Sequence, residues 1–173
     1  MTNSFKQIVS EHMGPPVNIE AIVRSLGLEL DKKATLDDEI SGQLERLEGR
    51  KFKISANKDH HYFRQRFTIA HELGHFMLHA DLIGEGVDDN KAYRSGPDGR
   101  FYNQAIGDRE EAEANRFAAR ILIPKPKVME VAAINTDVAT LAKQFQVSPA
   151  AMEIRLKSLG FQTENGKISQ TPI

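Results

Sequence analysis

The pentapeptide HELGH at residues 71–75 constrains the fold of this chain more than any other segment. Residues four apart lie on the same face of an α-helix, so the imidazoles of His71 and His75 can bind one metal ion. The carboxylate of Glu72 lies beside the first histidine, where it can accept a proton from a metal-activated water. The pattern therefore predicts a helix with a zinc ion and a hydrolytic water on one face.

The residues around the pentapeptide favour a helix that is buried on one side. Apolar or small residues recur there at helical spacing, namely Phe67, Ala70, Leu73, Gly74, Met77 and Leu78. Glycine in a helix interior costs about 1 kcal/mol relative to alanine, so close packing or a nearby ligand would account for Gly74. A structural pair of histidines is the alternative interpretation, and the flanking pattern favours the metal site.

Two histidines and a water leave a tetrahedral zinc ion one protein ligand short. The extended motif HExxHxxGxxH would supply a third histidine, but Leu78 and Asp81 occupy the two positions that it requires. His79 lies about 12 Å along the helix axis from His71, which is too far for both to bind one ion. We expect His79 to pack near the helix end, where the helix dipole favours a positive charge.

A second helix, predicted from Asp108 onward, offers a carboxylate as the third ligand. Its apolar stripe consists of Ala114, Phe117, Ala118 and Ile121. Glu111 and Asn115 lie one turn apart, so Glu111 can bind the metal while Asn115 holds the second ring nitrogen of a ligand histidine. Glu113 is the alternative ligand, and a run of acids that only solvates a surface helix is the alternative interpretation.

Two blocks of the sequence resemble the ImmA/IrrE family of metallo-endopeptidases. The first block is RQRFTIAHELGHFMLH at residues 64–79, and the second is EAEANRFAARILIP at residues 111–124. Ser41-Gly42 and the extended residues 53–57 also resemble the family's sequence ahead of the active helix. The likeness spans about residues 17–160, which is nearly the whole chain.

The resemblance implies a gluzincin-like site in which His71, His75 and Glu111 bind Zn²⁺ and Glu72 acts as the general base. It also implies a regulatory endopeptidase whose partner is a protein substrate, because relatives cleave transcriptional repressors of mobile elements or stress responses. Ile123 stands where the family more usually has methionine before the proline, which is a conservative change.

Two other functions are alternatives to a zinc endopeptidase. One is a DNA- or protein-binding regulator with a structural metal site, although such a site needs only ligands and would not require Glu72. The other is a toxin–antitoxin or phage component that acts by binding a partner.

The predicted fold is α+β and zincin-like, with a small antiparallel or mixed sheet packed on the active-site helix and the Glu-bearing helix. This metallopeptidase domain is predicted to occupy residues 1–125. Asn18 is expected to cap a helix that ends at Gly27, and strands are expected near 28–30, 40–47 and 52–55. Glu48-Gly49 is a plausible hairpin turn. One strand could bind an extended peptide by backbone pairing, and a purely structural sheet is the alternative.

Residues 81–108 contain many glycines and are predicted to be an irregular loop between the two metal-binding helices. Because this loop must pass the cleft, Tyr93, Tyr102 or Arg94 could donate a hydrogen bond to the oxyanion that forms during attack. A surface tyrosine is the alternative interpretation. A basic cluster ahead of the active helix, formed by His60, His61, Arg64 and Arg66, is expected at the surface or in structural ion pairs.

Residues 126–160 are predicted to form a helical segment that resembles a helix-turn-helix and packs on the first domain. Ser148 is the expected cap of its last helix, with Pro149 at the first helical position. A DNA-reading helix should present several basic residues, and this one offers only Arg155 and Lys157. A helical hairpin that packs on the domain or docks a partner is therefore favoured over DNA binding. Residues 161–173 are expected to be a frayed tail.

Composition narrows the setting in which the protein works. The chain has 173 residues and a formal net charge of −1, which gives no electrostatic argument for binding nucleic acid or membrane. It contains no cysteine, so disulfides and thiolate metal sites are excluded. The first residues lack the features of a signal peptide, and no apolar run is long enough to cross a membrane. The expected location is the cytoplasm.

Overall fold

The computed structural model of the chain describes residues 4–84, 86–90 and 105–170. The helices in these residues are α1 (Phe5–Glu11), α2 (Ile19–Ser25), α3 (Tyr62–His79), α4 (Asp108–Leu122), α5 (Lys125–Ala132), α6 (Val138–Phe145) and α7 (Pro149–Ser158). The strands are β1 (Glu29–Ala34), β2 (Ile40–Arg46), β3 (Phe52–Asn57), β4 (Gly86–Asn90), β5 (Gln162–Glu164) and β6 (Lys167–Gln170). The architecture is α+β, as predicted.

Four of the strands form one small mixed sheet in the order β1-β3-β2-β4. β1 runs parallel to β3 with Leu30 opposite Ile54, whereas β2 is antiparallel to both β3 and β4. Leu44 on β2 also lies opposite Ile54, and both of these side chains are fully buried. The sheet packs against α3 through β2 and β3, and this contact positions the helix that carries the pentapeptide.

Local sequence signals explain where the first elements begin and end. The Asn18 side chain accepts a hydrogen bond from the Ala21 N–H at 3.1 Å, and Gly27 adopts a φ of +81° after the helix. The buried positions of α2 are Ile19, Ile22 and Val23. A short 3₁₀ turn at Glu48–Arg50 joins β2 to β3, with Gly49 at a φ of +70°. The predicted helix and the predicted hairpin turn are therefore both confirmed.

The two strands expected beside the active helix have neighbours on both sides. β3 lies between β1 and β2, and β2 lies between β3 and β4, so their backbone groups face other strands of the sheet. Within the described residues, the edges of this sheet are β1 and β4. A peptide that pairs with the sheet would therefore have to add to one of these two strands. β4 itself corrects the expectation of an irregular segment over 81–108, because five residues of that segment pair with β2.

Helix α3 lies in the centre of the molecule and buries most of its length. Ile69, Ala70 and Leu73 are fully buried in the common apolar core, and Phe67 packs against that core. Leu78 is the exception to the predicted apolar stripe, since 52% of it is exposed. Neither α3 nor any other helix in the described part of the chain is long and apolar enough to span a membrane.

Helices α6 and α7 form a helical hairpin that packs on the rest of the chain. Ser148 caps α7 by accepting a hydrogen bond from the Ala151 N–H at 3.1 Å, as predicted. The buried guanidinium of Arg66 on α3 donates to the carbonyl of Val17 at 2.8 Å and to that of Gln146 at 3.2 Å. These bonds connect the residues before α2, helix α3 and the α6–α7 connection through one side chain.

The expectation of a frayed tail after residue 160 is wrong for residues 162–170. β5 and β6 form an antiparallel hairpin in which Glu164 pairs with Lys167. The connecting residues Asn165 and Gly166 both have positive φ, at 50° and 73°. Asn-Gly between two strands is the most favourable two-residue hairpin connection, because both residues tolerate this conformation. Ile168 is buried, so the hairpin adds to the core.

Candidate metal centre

The centre forms where α3 and α4 cross at close range. A Cβ atom placed on Gly74 would lie 3.1 Å from the Cα and 3.2 Å from the carbonyl oxygen of Ala114. Any larger residue would push the helices apart, so the glycine permits the contact at the expense of helix propensity. The predicted close packing at Gly74 is confirmed. It brings the first turns of α4 against the pentapeptide.

Three potential ligands converge at this crossing. The Nε2 atoms of His71 and His75 lie 3.0 Å apart. The Glu111 carboxylate lies 3.1 Å from His75 Nε2 through Oε1 and 3.3 Å from His71 Nε2 through Oε2. Ligand atoms around a tetrahedral zinc ion with bonds of 2.0–2.1 Å are about 3.3 Å apart. The three side chains thus form a group that could hold a metal ion, with the size that zinc requires.

The second nitrogen of His71 defines its protonation. His71 Nδ1 lies 3.0 Å from Asn115 Oδ1. An amide oxygen only accepts hydrogen bonds, so Nδ1 carries the proton and the Nε2 lone pair faces His75 and Glu111. This is the contact that the one-turn spacing of Glu111 and Asn115 predicted.

The second nitrogen of His75 is held by a relay that the sequence did not predict. His75 Nδ1 lies 3.2 Å from His79 Nδ1, and His79 Nε2 lies 3.0 Å from Glu113 Oε2. A carboxylate only accepts, so His79 donates through Nε2, and the tautomer that does so can accept through Nδ1. His75 then donates through Nδ1 and turns its own Nε2 lone pair toward the group. Arg109 completes the relay by donating to Glu113 Oε1 at 3.1 Å.

The structure bears on two expectations about this region. Glu113, considered as a reserve third ligand, contacts His79 and Arg109 and not the two pentapeptide histidines. His79 packs at the end of α3, as expected, and it is also buried in a contact with His75. The overlooked signal is the four-residue spacing of the three histidines and of Arg109 and Glu113, which aligns them on facing helix sides.

The electrostatics of the group suit a divalent cation. Burial raises the pKa of Glu111, but its hydrogen bonds and charge interactions with His71 and His75 outweigh this effect and lower the pKa to about 2. Burial is the main reason that the pKa of His75 is lowered. At neutral pH these shifts favour the Glu111 carboxylate and the neutral His75 imidazole, which are the forms that bind metal. Contacts this short need either a proton, as in the hydrogen bonds that lower the Glu111 pKa, or a metal ion between the lone pairs.

Glu72 lies on the same turn and is fully buried. A Cβ atom placed on Gly42 of β2 would lie 3.5 Å from Glu72 Oε1 and would overlap the methyl group of Thr68. Only a residue without a side chain lets β2 approach α3 this closely, so Gly42 leaves room beside the carboxylate. The strand and the helix together enclose the predicted general base.

The remaining candidates fall into two groups. Tyr93, Arg94 and Tyr102 lie outside the described residues, so their contact with an oxyanion remains a prediction. Within the basic cluster, Arg64 in the first turn of α3 donates to the hydroxyl of Ser41 at 2.6 Å. The hydrogen bonds of Arg66 are to backbone carbonyls, so its role is structural.

Comparisons with known proteins support the fold and the family resemblance. The model of the family described as IrrE N-terminal-like domain (Peptidase_M78) matches residues 41–157. A solved structure, a Mycobacterium tuberculosis transcriptional regulator, superposes with a TM-score of 0.60 at 18% identity, over 94% of this chain and 47% of that chain. This likeness supports the fold, and the chain spans about half the length of that regulator. No curated protein matches the chain.

The matched range runs from the second strand of the sheet to the last helix and contains the whole candidate metal centre. It covers more than half of the sequence, and it includes both blocks on which the resemblance to ImmA/IrrE proteins rests. The chain therefore belongs to the Peptidase_M78 family, the metallopeptidases with an IrrE N-terminal-like domain.

Proposed function

We propose that the protein is a zinc-dependent endopeptidase that cleaves a regulatory protein, specifically a transcriptional repressor. The observation that carries the proposal is the convergence of His71, His75 and Glu111 at the spacing of zinc ligands on an HExxH helix. Family membership supports peptide hydrolysis as the reaction. The similarity in fold to a transcriptional regulator supports a regulatory setting.

In this proposal His71, His75 and Glu111 hold the ion, and Glu72 moves the proton. A bound zinc ion would polarise the scissile carbonyl and acidify water. The Glu72 carboxylate accepts the proton of the attacking water and later donates it to the nitrogen of the leaving amine. Its enclosure between α3 and β2 keeps the proton acceptor away from bulk solvent.

Asn115 and His79 act as positioning residues for the two histidines. Asn115 accepts a hydrogen bond from His71 Nδ1 at 3.0 Å, and His79 accepts one from His75 Nδ1 at 3.2 Å. Both bonds keep Nε2 available as a ligand atom. Outer partners of this kind fix the ring orientation and raise the basicity of the ligand.

A DNA-binding regulator with a structural metal site has less support from the described residues. On α7, Lys157 is paired with Glu153 at 2.9 Å, and Arg155 donates to the carbonyl of Ile123 at 3.0 Å. The two basic side chains of this helix thus have partners within the protein, whereas contacts to phosphates need basic side chains that are free.

The proposal is tested by the substitution Glu72→Gln. The variant should retain one zinc ion per chain by elemental analysis and lose all cleavage, because the amide cannot accept the proton. Cells carrying the wild-type protein should contain a fragment of a repressor that is missing from cells carrying Glu72→Gln. Glu48→Gln, on the turn between β2 and β3, is the matched control and should generate the fragment. Cleavage by Glu72→Gln at the wild-type rate would refute the mechanism.

A further inference from the structure

A groove lies next to the metal centre, where α3, α4 and α7 meet. It consists of two adjoining cavities of about 370 Å³ and 770 Å³ that share Phe67, Ala151 and Ile154 as lining residues. We name it the α4–α7 groove. Ile154 is 67% exposed, although it is a large apolar side chain at the centre of the groove. A concave surface with exposed apolar residues is typical of a binding site.

The rim of the α4–α7 groove is positively charged. Arg116 and Arg120 line it from α4, Arg155 from α7 and Arg64 from α3. Neither cavity is lined by an aspartate or glutamate among the described residues. Arg116 and Arg120 form no ion pair with any residue that the structure describes.

Two of these arginines are close enough to disfavour each other. Burial, and then the charge of Arg120, lower the pKa of the Arg155 guanidinium. Like charges brought together without a counterion are destabilising, and an anionic ligand would relieve this repulsion. The groove therefore complements a ligand that is both apolar and acidic.

The groove also touches the residues that organise the metal centre. Asn115 lines the smaller cavity, and its side-chain oxygen accepts the hydrogen bond from His71 Nδ1. A ligand in the groove would therefore lie one side chain away from a zinc ligand of the proposed enzyme. A segment of the substrate on either side of the cleaved bond is the occupant that this position favours.

Nucleic acid is a poorer match for the groove than a peptide. Phosphate backbones bind to exposed basic surfaces, whereas the floor here is apolar and concave. Phe67 and Ile154 would contact no complementary group of a duplex. An amphipathic peptide can place apolar side chains on this floor and carboxylates on the rim.

We propose that the α4–α7 groove docks an acidic, amphipathic segment of the protein substrate. Its apolar side chains contact Phe67 and Ile154, and its carboxylates pair with Arg116 and Arg120. The inference rests on the proposed endopeptidase function and defines the chemistry of the substrate segment. It makes these four residues determinants of substrate specificity.

The test measures binding separately from cleavage. The Glu72→Gln protein, comprising all 173 residues of the sequence, is titrated into a fluorescein-labelled amphipathic peptide of Glu and Leu, and fluorescence anisotropy reports binding. The same peptide with every Glu replaced by Gln should bind about tenfold more weakly, since it keeps the apolar contacts and loses the charges. Adding Arg116→Glu and Arg120→Glu to the Glu72→Gln protein should lower its affinity for the acidic peptide about tenfold. The same double substitution should restore binding of a peptide with Lys in place of Glu.

Lys125→Glu with Lys143→Glu is the matched control. Both lysines are exposed and outside the groove, and the pair changes the net charge by the same amount. Ile154→Ser tests the apolar contact without changing any charge. The proposal is overturned if the control weakens binding as much as the arginine pair, or if the Gln peptide binds as tightly as the Glu peptide. Tighter, arginine-dependent binding of a DNA duplex would also overturn it.

These outcomes are distinct from a failure of the proposed function. A protein that hydrolyses nothing can still bind the acidic peptide through Arg116 and Arg120. Conversely, if the protein is an active protease but its peptide binding does not depend on these arginines, the proposed function stands and the docking proposal is refuted.

Discussion

The two halves of α4 use their charged side chains in different ways. In the first half, the carboxylates of Glu110, Glu111 and Glu113 each contact a hydrogen-bonding partner within the protein. Glu110 accepts a hydrogen bond from the Gly107 N–H at 3.0 Å at the start of the helix. Glu111 lies 3.1 Å and 3.3 Å from the two pentapeptide imidazoles, and Glu113 lies between His79 and Arg109.

In the second half, Arg116 and Arg120 line the α4–α7 groove and have no carboxylate partner among the described residues. The first half thus resembles a site prepared for one ion, with its geometry set by packing and hydrogen bonds. The second half resembles a recognition surface, whose charges remain available to a ligand. One helix therefore joins the candidate metal centre to the proposed docking groove, and substitutions in the two halves should separate chemistry from recognition.

The largest effect is expected for Glu111→Gln, which removes the carboxylate from the three proposed ligands. Zinc affinity should fall by more than about 100-fold, beyond the effect of losing an outer partner. Competition with a chromophoric chelator measures this loss. Glu110→Gln is the matched control, because the Glu110 side chain neighbours Glu111 and only caps the helix. This variant should bind zinc with unchanged affinity. Equal affinities for the two variants would contradict the assignment of Glu111 and the contrast between these side chains.

Acid should release the metal ion from the site at the first half of α4 and leave the fold of the second half of α4 unchanged. Protons compete with metal for imidazole, so occupancy falls as the pH falls. The lowered pKa of His75 moves this competition below the ordinary histidine value of about 6.5, and the Glu111 pKa of about 2 keeps its carboxylate ionised throughout. Zinc should leave below about pH 5–6. Full occupancy at about pH 4 in elemental analysis would argue against a two-histidine site.

A smaller effect is expected for Gly74→Val at the helix crossing. The added atoms meet the backbone of Ala114, which cannot move without shifting α4, so the protein should lose about 1–3 kcal/mol of unfolding free energy. Zinc affinity should also fall, because the shift separates Glu111 from the histidines. Urea denaturation measures the loss, with Ala139→Val on the exposed side of α6 as the control. A Gly74→Val protein as stable as this control would show that the crossing tolerates expansion.

The smallest effect should come from the relay. Glu113→Ala removes the acceptor for His79 and should weaken zinc binding about tenfold, through the orientation of His75. Arg120→Ala, a truncation in the other half of the same helix, should leave zinc binding unchanged. The chelator competition used for Glu111→Gln resolves this difference. If both truncations weaken zinc alike, the two halves of α4 are not independent.

Local spacing made much of this molecule predictable. The pairing of the two proposed ligand histidines and that of Glu111 with Asn115 follow from residues one helical turn apart, which the sequence alone determines. The relay through His79 and Glu113 depends on how two helices cross, and that crossing is fixed by the contact between Gly74 and Ala114.

The sheet shows the same division between local and distant information. The turn at Gly49 is readable from a few residues, whereas the parallel pairing of β1 with β3 joins segments that a single sequence does not connect. The hairpin over residues 162–170 is a different case. Its Asn165-Gly166 signal is local and was available, and the expectation of a frayed tail overlooked it.

The Arg66 guanidinium has a consequence for the order in which the protein matures. Its two acceptors, the carbonyls of Val17 and Gln146, lie far apart along the chain. During synthesis the first is made before α3 and the second long after it, so this buried cation is incompletely solvated by the protein until the α6–α7 connection has left the ribosome. The helix that carries the pentapeptide thus reaches its final environment only when the α6–α7 helical hairpin packs against it. A newly made chain therefore completes the surroundings of its candidate metal centre only after most of its residues have been synthesised.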